Sequence, residues 1–196
     1  MPQLIRKVTQ AADKREAILG AALDLFNELS FNGTPMPLVA QRAGVGAGTI
    51  YRYFESKEAL GNAVYQGCKL AVQRHLAERV RPDLTAREGF GVMWRALWEF
   101  FGDNPAACRF LETHNHGSYL DATSIATSDA VFAAICDFVR HGQAAGAIRS
   151  GDPAVLIAMA LGAFIGLVKE SDAGRFTLDD TVVHTAEDLV WTMLQA

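Results

Sequence analysis

The densest run of glycine in the chain, Gly44-Val45-Gly46-Ala47-Gly48-Thr49, invites comparison with a loop that cradles phosphate. Such a loop needs a strand in front of it and a third glycine one position later. Here a helical pattern precedes the run and Thr49 fills the slot. His114-x-His116 has the residue type of a metal pair but not the spacing, because i and i+2 point to different sides of a helix. With no cysteine or carboxylate at ligand spacing nearby, no metal site is expected. Glu112 with His114, and Asp137 with His141, read as helix-surface pairs, and no Gly-x-Ser-x-Gly is present, so no catalytic residue and no cofactor are expected. Cys68, Cys108 and Cys136 are odd in number and widely spaced, which fits reduced, buried thiols in a cytoplasmic protein. What remains is Gly48–Phe54, where Thr49, Tyr51, Arg52 and Tyr53 carry hydrogen-bonding groups within one short segment.

The elements that must position that segment are helical. Apolar residues recur at spacings of three and four almost throughout, without sustained period-two alternation, so the chain is expected to be all-α with about nine helices. Ile18, Ala21, Ala22, Leu25, Phe26 and Leu29 mark a first helix from about Asp13 to Ser30, closed by Asn32-Gly33. Thr34 is expected to cap a short second helix that stops at Gly44, and a third runs from near Gly48 to near Phe54. Two helices of about eight residues nucleate poorly alone. Packed on a third through Val39, Ala40, Val45 and Ile50, they make a helix-turn-helix that leaves Thr49, Arg52 and the tyrosines facing out. Phe54 reads as a core residue. Ser56 caps a long fourth helix reaching about Val80.

Beyond it, Thr85 and Glu88 form a capping box for a helix to Phe101, and Asn104-Pro105 opens the next. Asp121 to about Gly146 carries Val131, Ile135, Phe138 and Val139 on one side. Asp152-Pro153 precedes a very apolar segment, and the last helix is expected from Thr177, with Val182, Val183, Ala186, Leu189, Val190 and Met193 as its apolar face. The longest apolar run, Ala154–Val168, is shorter than the roughly 20 residues of a membrane span, so a buried helix and no membrane partner are expected. The N-terminus lacks the apolar stretch of a signal peptide.

The segment from about residue 13 to 62 resembles the TetR family of repressors. Phe31-Asn32-Gly33-Thr34-Pro35-Met36 is similar to the family's turn into helix two, and Val39-Ala40-x-x-Ala43-Gly44-Val45 to its IA-x-x-AGV element. Gly48-Thr49-Ile50-Tyr51-Arg52-Tyr53-Phe54-x-Ser56-Lys57-Glu58-x-Leu60 follows GT-[LI]-Y-x-YF-x-SKE-x-L. The resemblance implies an N-terminal DNA-binding domain (residues 1–60) on a helical ligand-binding and dimerisation domain (61–196). Ala47 and Gly48 would let helix three approach the bases, Thr49 offers a methyl and a hydroxyl to a base edge, and Arg52, on the same face, suits guanine. Tyr51, Tyr53, Lys57 and Thr34, with Lys14 or Arg15, would grip phosphates. Gly46 and Ala47 stand where the family commonly has a capping Ser or Thr and a polar or basic residue, and Leu38 where a charge is common.

Charge follows the same division. The net −4 is distributed as seven Lys/Arg against six Asp/Glu in residues 1–60 and eleven against sixteen after them. A slightly basic head on an acidic body suits a DNA-reading module. The resemblance further implies a homodimer seated through the last two long helices, a palindromic double-stranded operator and release by a small apolar or amphipathic effector. Trp94, Trp98, Phe101, Phe110, His114, Tyr119 and Phe132 are the candidate effector contacts, although aromatic walls equally describe a helical core. The alternative is a helical ligand-binding or enzymatic protein whose N-terminal helices form a packing module.

Overall fold

The computed structural model describes residues 2–81, 83–113 and 116–196, and among these the chain is helical with no strand. The order is α1 (Pro2–Gly33), α2 (Met36–Arg42), α3 (Ala47–Ile50), α4 (Lys57–Ala77), α5 (Ala86–Asp103), α6 (Pro105–Thr113), α7 (Ala122–Ala144), α8 (Pro153–Asp172) and α9 (Asp180–Leu194). Most expected boundaries hold, for local reasons. The Ser56 hydroxyl accepts from Ala59 N at 3.0 Å, and Asp152 accepts from Ala154 N with Pro153 at the first helical position. The capping box closes both ways, Glu88 N donating to Thr85 Oγ1 and Thr85 N to Glu88 Oε2. Three expectations are corrected. The last helix starts after Asp179, which accepts from Val182 N at 2.9 Å, rather than at Thr177. Helix three is a single turn that continues as hydrogen-bonded turns to Phe54. Thr34 does not cap α2, because its hydroxyl turns back to the carbonyls of Leu25 (3.1 Å) and Ser30 (2.8 Å).

The chain packs as two compact units that do not follow the expected boundary at residue 60. One comprises the chain up to Leu70 with Asn104–Thr127, the other Ala71–Asp103 with Ser128–Ala196. In the first unit, Ile18, Ala22, Leu25 and Phe26 of α1 bury Val39 and Ala40 of α2, Ile50 of α3 and Leu60 of α4, and Val45 is half-buried. Gly44, at φ 65°, makes the turn between α2 and α3, a conformation other residues adopt at a cost. The segment after α5 belongs here because Asn27 Nδ2 donates to Ala106 O at 2.9 Å and Phe110 stacks on Phe26. Asn62 of α4 donates to Tyr119 O (2.8 Å) and accepts from Asp121 N and the Ser124 hydroxyl, a buried polar node with every partner supplied.

The second unit is a bundle around Phe90, Trp94, Val139, Ile148, Leu156, Ile157, Phe164 and Val190. The Glu187 carboxylate of α9 is buried between Arg87 (2.6 Å) and Arg95 (2.7 Å) of α5. Gly91 leaves it room: a Cβ there would come within 2.6 Å of Glu187 Oε1. The expectation of a buried α8 holds for one face only. Leu156, Ile157 and Phe164 turn inward, whereas Val155, Met159 and Leu161 are exposed. By length and composition alone, α7 and α8 are each apolar enough to cross a membrane.

Candidate nucleic-acid interface

The outer surface of the α2–turn–α3 segment carries the side chains on which a DNA contact would depend. Ile50 and Phe54 anchor it inward at 0% and 5% exposure, so the intervening residues face out. Ala47 and Gly48 are exposed and small, Thr49 is half-buried beside them, and Arg52 is exposed. Arg52 N bonds to Thr49 O at 3.1 Å, which keeps both side chains on one face of the turn. Tyr51 is 54% exposed and Tyr53 half-buried. Among the described residues no ion pair engages Arg52, so its guanidinium is available to a base edge or a phosphate. Arg42 is not available in that way: both its Nη atoms bond Glu28, at 2.9 and 3.0 Å. That pairing holds the Glu28 carboxyl below its ordinary value.

Lys57 lies at the first turn of α4. Its ammonium donates to Asn32 O at 3.1 Å and sits 4.8 Å from the centre of the Phe31 ring. An ammonium has three protons, so two stay available beside the free N–H groups of the helix start. Thr34 is the exception among the expected contacts. At 1% exposure, with its hydroxyl committed to α1, it presents nothing to DNA and serves as a core polar residue. Phe31, which holds Lys57, was legible only as part of the turn motif. Arg15 lies over the Phe54 ring at 5.5 Å.

Residues 18–64 match the family described as bacterial regulatory proteins, tetR family, and residues 65–196 match the tetracyclin repressor-like C-terminal domain. The chain belongs to the TetR family. It is 26% identical over 173 residues to the uncharacterized HTH-type transcriptional regulator YhgD of Bacillus subtilis (strain 168), covering 87% of this chain and 91% of that protein. With the HTH-type transcriptional regulator RutR of Escherichia coli (strain K12) identity is 49% over 51 residues, 26% of this chain and 24% of RutR. A TetR family transcription regulator from Marinobacter aquaeolei VT8 superposes with a TM-score of 0.86 at 24% identity, covering 95% of this chain and 98% of that one. A TetR family protein from Vibrio parahaemolyticus gives 0.74 at 27%, covering 93% and 99%. This TetR-family member is a helix-turn-helix transcriptional regulator, all-α like the structures it resembles.

The aromatic residues expected to meet an effector do not form one cluster in this TetR-family chain. Phe110 and Tyr119 belong to the first unit, Trp94, Trp98, Phe101 and Phe132 to the second. Phe110 is fully buried on Phe26, and Tyr119 stacks on Phe31, so both are core residues of the unit that carries the DNA-facing turn. Phe132 is exposed, which removes it from any enclosed wall. Trp94, Trp98 and Phe101 do converge, all three on the buried Phe164 ring, at 5.6, 4.2 and 4.6 Å. The Trp94 indole donates to Val183 O at 3.1 Å, whereas the Trp98 indole nitrogen is buried without a partner among the described residues. His114 lies outside the described residues. His116 is engaged on both ring nitrogens, by Phe110 O and the Tyr119 hydroxyl.

Proposed function

We propose that this regulator is a dimeric repressor that binds a palindromic double-stranded DNA operator and leaves it when a small apolar or amphipathic effector binds. The observation that carries the DNA half is the outward face of Thr49, Tyr51, Arg52, Tyr53 and Lys57, with Ala47 and Gly48 at its tip. Small residues let the backbone approach the groove, Thr49 and Arg52 read base edges, and the tyrosines and Lys57 fix register on phosphates. Two such heads about 34–36 Å apart would enter successive major grooves. The dimer reading rests on the exposed Val155, Met159 and Leu161 of α8 and Leu189 of α9. Gly162 and Gly166 support it, since a Cβ added at either would meet nothing within 4 Å in the single chain. The same stripe, closed by a second copy, gives α8 a role without a membrane.

For the effector, Trp94, Trp98 and Phe101 around Phe164 are the supported wall. Release follows if the effector prefers a state whose two heads no longer match the groove spacing; it shifts populations only by its difference in affinity. No catalytic role, cofactor or metal is assigned, and the cytoplasm, where the operator and reduced thiols both belong, is the proposed location. Fluorescence anisotropy against duplex DNA from immediately upstream of the protein's own gene, at several salt concentrations and beside an unrelated duplex, tests the proposal. Selective binding that weakens steeply with salt supports it. Failure to enrich any palindrome from random DNA would sink it.

A further inference from the structure

Lys57 stands over an aromatic ring that is itself held from behind. Phe31 and Tyr119 stack with ring centres 4.0 Å apart and planes 16° from parallel, which closes one face of Phe31 and leaves the other to the Lys57 ammonium. Gly61 admits the pair, because a Cβ there would fall 2.8 Å from Phe31 and 3.0 Å from Tyr119. Tyr119 is fixed on three sides. Its carbonyl accepts from Asn62 Nδ2 at 2.8 Å, its N–H reaches His116 O at 3.1 Å, and its hydroxyl meets His116 Nδ1 at 2.5 Å. Because Phe110 O can only accept from His116 Nε2, a neutral His116 carries its proton there and Nδ1 accepts from the tyrosine. At the other end Ser30, immediately before Phe31, holds φ 63° and ψ 166°, a region that residues other than glycine enter only under constraint. All of these residues lie in the first unit.

We propose that Phe31 and Tyr119 are positioning residues for Lys57, so that the phosphate contact at the start of α4 depends on the turn between α6 and α7. The ring quadrupole attracts the ammonium, and the Asn32 carbonyl on the same side takes one of its protons. A long, rotamer-rich side chain is thereby held with its remaining protons outward before DNA arrives, which lowers the ordering cost of the contact. Without the plate, Lys57 keeps its charge but loses its fixed geometry. The inference rests on the DNA-binding reading above.

The test is a double-mutant cycle on the full chain, by anisotropy with a labelled 30-base-pair duplex from upstream of the gene and an unrelated duplex of equal length. K57Q is expected to weaken both and to lower the salt slope by about one, as loss of one phosphate contact requires. Y119L, which keeps the apolar bulk, is expected to weaken binding roughly 3- to 10-fold, the range of a weakened single charge-assisted contact, and to lower the slope in the same sense. Added to K57Q, it should do nothing further. Y119F, which keeps the ring, should bind as the wild type does. F31L supplies the same test from the other ring if Y119L lowers the thermal midpoint too far. An unchanged slope, or a Y119L effect that adds fully to K57Q, overturns the proposal. A wild-type protein without salt-dependent affinity for either duplex overturns the DNA-binding reading first and this inference with it.

Discussion

Arg52 and Thr34 separate contact from support at the scale of single residues. Arg52 is exposed on the outer turn, whereas the Thr34 side chain is buried on two carbonyls of α1. Arg52→Ala should therefore cost about 1–3 kcal/mol of operator affinity, the range of a bidentate base contact, with the thermal midpoint unchanged. Thr34→Ala should do the reverse: stability falls by about 1 kcal/mol as a buried hydrogen bond goes, while the salt slope of DNA binding stays as it was. A Thr34 variant that lowers the slope would return this residue to the DNA face. Residue type made both visible in the sequence, but a threonine before a short helix reads as a cap until the packing of α1 shows where its hydroxyl goes. The cysteines were legible as buried thiols, and the structure adds a pH sense. Burial pushes Cys68 up to about 11 and Cys108 to about 12, from an ordinary 9.0. Both are neutral in either state below pH 9, so their contribution to stability is complete there and is lost as the pH rises through 9 towards 11–12. At pH 8 a disulfide reagent such as DTNB should label them slowly, and urea should make labelling fast. Rapid labelling of the folded protein at pH 8 would contradict their burial.

At the scale of elements, caps fixed by neighbours in sequence were readable and pairings across the bundle were not. Ser56, Thr85 with Glu88, and Asp152 each bond groups within three residues, so residue type alone placed them. The start of α9 was misplaced because Thr177 and Asp179 are both competent caps, and nothing local ranks them. Glu187 carried no signal at all: its partners stand 100 and 92 residues away, on α5. It nonetheless joins α5 to α9, with Arg87 reaching on to Asp188 at 2.8 Å. Glu187→Ala leaves two guanidiniums that are partly exposed and can turn to water, so the expected loss is about 1–3 kcal/mol, below that of a fully buried pair. Urea denaturation with an unchanged m-value would measure it, and a loss under 0.5 kcal/mol, the range of an ordinary surface substitution, would mean that the pair contributes little beyond packing. DNA affinity at temperatures where the variant is folded should hold.

At the scale of the whole molecule, the sequence conveyed the helix count and the DNA-facing turn, because period and motif are local properties. It did not convey which aromatic residues share a core. Phe110 and Tyr119 sit in sequence between Phe101 and Phe132 yet pack on α1, since α6 folds with the N-terminal helices. The assembly is the remaining consequence of surface that no local pattern decides. Met159 is 57% exposed on α8 and Leu189 68% exposed on α9, each on a helix whose other face is core. If a second copy covers that surface, Met159→Glu puts a charge into an apolar seam and the protein becomes a monomer in sedimentation velocity, with its helical content retained. One head then binds without the effective concentration that the second supplies, and affinity for a palindromic duplex should fall on the order of 10²–10⁴-fold. The salt slope should fall by about half, because half the phosphate contacts are gone. These two readouts separate loss of the dimer from damage to a head, which would weaken binding while two copies still sediment together. A Met159→Glu protein that stays dimeric at full affinity would place the seam elsewhere and leave the exposed face of α8 for another partner.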